Sequence, residues 1–246
     1  MTFGSPDASF LFGSDSLGRD VLSRVLNGGW VLLLLAASAT AIGVLLGAAA
    51  GLIAAYVGGW AETVIMRLVD IVLALPQLIF ALLLLSVAGP QLWLLVLAVG
   101  FSHAPQVARV IFAAAQDVTE RDFVKISRLW GVSVARVLRR DVLPNLLGPM
   151  IVEFGLRLSF SIIILAGLSF LGFGRQAPAA DWGLMINENR LGLELNSLAV
   201  VVPALLLAIL AVGANTFGDA IARACMGDES GEEAVIASSL GTVIDR

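Results

Sequence analysis

Between Arg24 and Glu62 the chain carries no charged residue. About 20 residues of helix cross the hydrocarbon core of a bilayer, so this run is long enough to span one. The bilayer interior has no water for backbone N–H and C=O groups, which restricts spanning segments to helices and closed barrels. Apolar runs this long select helices. Further runs follow, and spans are expected at about residues 30–56, 61–87, 91–114, 146–170 and 198–221. Composition agrees. The 246 residues are 59% hydrophobic and 14% charged, where a soluble domain has about a quarter charged, and the mean hydropathy is +0.94. The expected fold class is an all-α membrane protein with about five transmembrane helices.

Residue counts exclude several chemistries. With a single cysteine, Cys225, and a single histidine, His103, there is no intramolecular disulfide and no clustered Cys/His metal site. The sole lysine, Lys125, is followed by Ile126, so no phosphate-binding loop of the G-x-x-x-x-G-K-[ST] kind exists. ATP hydrolysis, if the protein depends on it, belongs to another polypeptide. The net charge of −4 does not point to a nucleic-acid partner.

Within the expected spans, Gly43, Gly47 and Gly51 recur every four residues, a small-residue face for close helix packing. Pro76 is expected to kink the second span, near whose start Arg67 and Asp70 lie within pairing reach. His103 and Pro105 fall inside the third, His103 as a packed, hydrogen-bonded residue. The fourth holds Glu153 and Arg157 at i and i+4, which permits an ion pair on one helix face. Such a pair is either self-neutralising or part of a translocation path. Between the last two spans lies a polar loop, residues 174–195, with a short helix expected over Trp182 to Arg190. The acidic stretch at 225–246 (Asp228, Glu229, Glu232, Glu233) is expected to be a disordered cytoplasmic tail.

One polar interruption differs from the rest. From Arg121 to Pro144, Phe123, Ile126, Trp130, Val134 and Val137 recur at spacings of three and four, which draws an apolar helical stripe. Arg121, Lys125 and Arg128 fall on the opposite face, where Arg128 is expected to be solvated. Gly131 breaks the pattern, Ser133 is placed to cap a second short helix, and Leu143-Pro144 closes the segment. A loop that only fixed topology would need its positive charge but not this stripe. The stripe suits helix-in-groove docking on a cytosolic partner, with arginines steering at the rim.

Arg109, Arg121, Lys125, Arg128, Arg136, Arg139 and Arg140 cluster around this segment, whereas the loop between spans four and five has only Arg175 and Arg190. The bias towards positive charge inside places the cluster in the cytoplasm. Counting back across three spans puts residues 1–29 outside. They lack the basic and apolar regions of a cleaved signal peptide and are expected to be a retained extracytoplasmic segment.

Two sets of residues resemble a known family. Gly131 followed by Leu143-Pro144 resembles the cytoplasmic "EAA" loop of ABC-importer permeases, with Lys125, Ile126 and Ser127 where the name-giving triplet stands. The run Leu11 to Arg24 (LFGSDSLGRDVLSR) is similar to the segment before the second span of dipeptide, oligopeptide and nickel permeases. Phe170 to Gly174 (FLGFG) and Asp181-Trp182-Gly183 fit the same subfamily. The resemblance reaches to about Ala224 and implies a type I importer permease fold, with residues 30–224 as the permease domain and one further span ahead of residue 1. It implies a multi-pass subunit of a bacterial or archaeal cytoplasmic membrane that moves di- or oligopeptides, or chelated nickel, by alternating access. Its partners would be a homologous second permease, two cytosolic ATP-binding subunits and an extracytoplasmic substrate-binding protein, with no cofactor and no catalytic residue of its own. Phe123, Lys125, Ile126, Ser127, Trp130, Gly131, Leu143 and Pro144 would dock the ATPase; Glu153 and Arg157 are candidates for the path. Residues 11–24 would face the binding protein or form an interfacial helix. Two other classes compete. An ion-gradient-driven carrier needs intramembrane acids, for which Glu153 is the candidate; a membrane serine hydrolase would use Ser169 with His103.

Overall fold

The computed structural model describes residues 2–8 and 10–244, without the side chains of Ala222 and of residues 225–244. Its helices are α1 (Val21–Val57), α2 (Gly59–Leu73), α3 (Gln77–Ala88), α4 (Leu92–Thr119), α5 (Asp122–Leu129), α6 (Val134–Val137), α7 (Leu143–Phe170), α8 (Trp182–Asn189) and α9 (Leu198–Ile244). Four stretches are long and apolar enough to cross a membrane: Val21–Val57, Leu92–Thr119, Val134–Phe170 and Leu198–Ile221. The broken pair Gly59–Leu73 and Gln77–Ala88 makes a fifth if counted as one span. About five spans were expected, and the all-α membrane fold holds.

Boundaries moved where local chemistry overrode apolar periodicity. The first helix begins at Val21 rather than near residue 30, because Asp20 caps it by accepting from the amides of Leu22 and Ser23. The second span is broken, not kinked: α2 and α3 meet at 85°. Proline pushes its preceding residue out of the helical region, so Leu75 cannot continue α2, and Pro76 becomes the cap position of α3. Asp70 pairs with Arg109 of α4 rather than with Arg67. Leu143-Pro144 does not end a helix. Pro144 has no N–H for the carbonyl four residues back, and the chain widens into a π turn over Leu138–Val142, with the Leu143 N–H bonded to the Leu138 carbonyl. Helix therefore runs from Val134 through Phe170. The backbone of α9 likewise continues helical to Ile244 instead of ending near Ala224. The side chains of the expected acidic tail fall outside the described residues.

The core is the α1–α4 contact, the most extensive in the protein. A Cβ on Gly43, Gly47 or Gly51 would stand 2.7, 2.4 or 2.5 Å from the carbonyl oxygens of Gly100, Ala104 and Ala108. The glycine face is thus used within the chain, and only glycine lets the two backbones approach so closely. Helix α7 packs on this pair and on α9, with α8 between α7 and α9.

At one end of the bundle, residues 11–20 form turns rather than an interfacial helix, and with the first turn of α1 they are stapled to the α8 region. Asp15, fully buried, accepts from Arg19 (2.7 Å) and Arg24 (2.8 Å), and Glu188 of α8 accepts from the same two arginines at 2.8 and 2.7 Å. Asn196 donates to the carbonyls of Phe12 and Ser14 at 3.0 and 3.1 Å. Trp182 Nε1 donates to the Val25 carbonyl at 2.8 Å, its ring lying where Gly28 and Gly29 leave no Cβ in the way. Residues 10–20 and 171–197 therefore share one end, and α5 lies at the other.

Burial alone would raise the Asp15 carboxyl, but the amides of Arg19 and Leu17 and the Arg19 guanidinium outweigh it and hold it below the ordinary 3.8. A carboxyl depressed on folding adds stability above its unfolded value and loses it as pH falls through the folded one. The stability that Asp15 contributes is thus present at neutral pH and is lost only in acid. Arg24→Ala, which strips a buried partner from two carboxylates, should cost about 3 kcal/mol. Arg19→Ala, at a more exposed position, should cost less. Thermal unfolding of the purified protein in detergent measures both.

Candidate functional site

The polar interruption folds as two short helices around a glycine. Helix α5 opens with Asp122 in its first turn and ends with Arg128 in its last, each charge complementing its end of the helix dipole. Gly131 then takes φ +71°, a left-handed conformation that a Cβ penalises, and its N–H closes on the Arg128 carbonyl at 3.0 Å. Ser133 occupies the cap position of α6 but its side chain makes no capping bond. Val124 and Val137 are fully buried and join Val142, Leu146, Val118 and Tyr56 in a cluster beneath the segment. Val137, expected in the outward stripe, points inward instead.

The other face is bare. Leu129 and Trp130 are 84% and 80% exposed, with Phe123, Ile126 and Val134 also exposed. Of the eight residues expected to dock, Phe123, Lys125, Ile126, Trp130, Gly131 and Pro144 are exposed. Ser127 turns inward and donates to Asp141 Oδ2 at 3.1 Å, and Leu143 packs on the buried cluster. Pro144 lines a basic recess with Ser133, Arg136, Arg139 and Arg140. The sequence reading missed Leu129, although it follows Ile126 by three.

Arg128 is exposed, as expected, but it is not without partners. Its Nη2 donates to the Tyr56 carbonyl at 3.0 Å, and its guanidinium carbon stands 3.9 Å from the centroid of the Tyr56 ring. Periodicity placed Arg128 opposite the stripe, but that side of α5 faces the end of α1. No local pattern could reveal a partner 72 residues away.

Inside the bundle the predicted Glu153–Arg157 pair forms, Arg157 Nε donating to Glu153 Oε2 at 2.9 Å, and the guanidinium also donates to Gln106 of α4. Glu153 is 4% exposed. One turn further along α7, Ser161 bridges Thr40 of α1 at 2.8 Å and His103 Nε2 at 3.0 Å. Gln77, opening α3, donates to the Ser102 carbonyl at 3.2 Å and stands 3.5 Å from His103 Nδ1. The buried histidine thus has a partner at each nitrogen, as expected of a packed residue. Ser169 donates to Asp181 and is not engaged by a histidine, which removes the hydrolase arrangement. Among the described residues no cluster of His, Cys, Asp or Glu suits a metal ion.

A pair buried this deeply leaves a bare charge when one member is removed. Glu153→Leu or Arg157→Met alone should therefore destabilise by about 3 kcal/mol. The double replacement should be milder than either single change, a non-additivity read from melting temperatures in detergent.

The comparisons agree with this geometry. Residues 43–225 match the model of the family described as binding-protein-dependent transport system inner membrane component. The chain is 37% identical to a di/tripeptide transport system permease, DppC, of Pseudomonas aeruginosa, over 87% of this chain and 71% of that one. It is 32% identical to a glutathione transport system permease, GsiD, of Pectobacterium atrosepticum, over 88% and 72%. Among solved structures, the inward-facing MetNI methionine ABC transporter superposes with a TM-score of 0.66 at 19% identity, over 82% of this chain and 96% of that chain. An amino acid ABC transporter gives 0.57 at 20% identity, over 82% and 94%. These neighbours share the importer permease fold and are not gradient-driven carriers. By the extent of the family match and the level of identity, the chain belongs to the binding-protein-dependent transport system inner membrane components, multi-pass permeases of the inner membrane.

Proposed function

We propose that this chain is the permease subunit of an ATP-driven importer of di- or oligopeptides. It would pair with a second, homologous permease, engage two cytosolic ATP-binding subunits through α5, and receive substrate from an extracytoplasmic binding protein. The observation that carries the reading is the bare apolar face of Phe123, Ile126, Leu129 and Trp130 on a helix whose other face is anchored in the bundle. A cytosolic groove that covers these side chains gains the burial they lack, and the arginine-lined recess beside α6 gives that partner a charged edge to align against. The peptide class is supported by the relatives' names, which include di/tripeptide, dipeptide and glutathione transport. The gradient-driven alternative has less to stand on, because Glu153 is already neutralised by Arg157.

Alternating access follows mechanically. ATPase closure and reopening displace the docked α5, and the spans attached to it rock between outward-open and inward-open states. Substrate drives that equilibrium only by contacting the two states differently.

Trp130→Ala removes the largest exposed apolar side chain and should cost about 2 kcal/mol of ATPase association, roughly thirtyfold in Kd. Gly131→Trp should leave insertion intact, since no atom lies within 4 Å of its Cβ position, yet uncouple hydrolysis from transport. Gly131→Asn should be far milder, because asparagine tolerates a left-handed backbone. The measurements are pull-down of the ATP-binding subunits and ATP-dependent dipeptide uptake in proteoliposomes. Parental behaviour by both Trp130→Ala and Gly131→Trp would reduce this segment to a topology loop.

A further inference from the structure

Helix α5 follows α4 after only Glu120 and Arg121. At its other end α5 runs on through residues 130–133 into α6, and Ser127 ties it to Asp141 of the π turn. None of these connections reaches α1, the partner of α4 in the core; that tie is made by the last turn of α5. Arg128, in its last turn, reaches across to the last turn of α1 and makes two contacts with one residue, the 3.0 Å bond to the Tyr56 carbonyl and the 3.9 Å stack on its ring. That carbonyl lies among the last four of α1, which have no intrahelical amide to accept from; the Gly58 N–H serves Ala54 instead. A guanidinium suits the site three ways: it supplies a donor, it complements the negative end of the α1 dipole, and its planar face stacks on an aromatic ring. Tyr56 is itself held, 9% exposed, in the cluster with Val124 and Val137. Beyond Tyr56, α1 cannot slide against α4, because Gly43, Gly47 and Gly51 lie against the α4 backbone.

Resting on the import reading above, we propose that Arg128 and Tyr56 form a latch that transmits ATPase-driven movement of α5 to the α1–α4 pair. The latch adds a tie to α1 to the attachments α5 already has to α4, α6 and the π turn, so a push on the docking face moves α1 together with α4. Arg128 is a positioning residue. Its guanidinium reaches the end of α1 while the residue stays solvent-exposed, and the docking face of Phe123, Leu129 and Trp130 is built without it.

The test separates docking from transmission. In the full chain reconstituted with the ATP-binding subunits in nanodiscs, Arg128→Ala should capture the ATPases undiminished. In proteoliposomes the same variant should lower peptide transported per ATP hydrolysed about tenfold, within the usual range of coupling between sites. Tyr56→Phe, which keeps both ring and carbonyl, should behave like the parent. Tyr56→Ala, which keeps only the carbonyl, should lose part of the coupling, and Arg128→Ala with Tyr56→Ala should be no worse than Arg128→Ala alone. In the permease without ATPase, hydrogen exchange of the α5 amides should quicken in Arg128→Ala and stay parental in Tyr56→Phe. ATPase capture with parental coupling in Arg128→Ala, α5 exchange unchanged by that substitution, or fully additive losses in the double variant would each overturn the latch while leaving the import reading intact. Failure of the parent chain to capture any ATPase would overturn the import reading, and the latch with it.

Discussion

The contact between α1 and α4 is the constraint on which the other arrangements depend. Lipid is as apolar as the helices it surrounds, so burying apolar side chains gives little drive for association within a membrane. Close van der Waals fit supplies it instead. Gly43, Gly47 and Gly51 meet the carbonyls of Gly100, Ala104 and Ala108 with no room for a side chain. This pair forms a stiff unit against which α7 packs, and α5 is attached at one end of it.

On that frame the polar groups are allocated by depth. At the end formed by residues 10–20 and α8, Asp15, Arg19, Arg24 and Glu188 balance two charges of each sign and tie the first helix to α8. In the middle, Thr40, His103 and Ser161 join α1, α4 and α7 through neutral hydrogen bonds, while Glu153 and Arg157 cancel each other and recruit Gln106. At the opposite end, Arg128 and Ser127 fasten α5 to α1 and to the π turn ahead of α7. In hydrocarbon an unpaired polar group is costly, so each of these partnerships also dictates which helices must be neighbours. The same groups that are expensive to bury specify the packing.

The family motifs acquire physical content from these contacts. Asp181 caps α8 by accepting from the Leu184 amide, Trp182 seats on Gly28 and Gly29 of α1, and Gly183 lies against the Ala166 carbonyl of α7. Three consecutive residues thus bring three helices together, and their spacing in the sequence is local because the joint they build is local. The run from Leu11 to Arg24 does comparable work, its two arginines meeting Glu188 across one end of the bundle.

What the sequence determined by itself was whatever depends on local order. The charge-free run after Arg24 required a membrane helix, the i, i+4 spacing of Glu153 and Arg157 allowed their pair, and the Phe123–Ile126–Trp130 stripe with Gly131 foretold two helices about a left-handed turn. What only the tertiary structure decided were the partnerships between distant segments: Asp70 with Arg109 rather than Arg67, Arg128 against Tyr56, Leu143 and Val137 packed inward rather than outward. Periodicity states which residues share a helix face, but not what lies opposite that face. Proline shows the same limit, since Pro76 breaks one span by 85° while the helix around Pro144 is continued through a π turn. A missing N–H ends a helix only where the neighbouring packing does not hold the next turn in place.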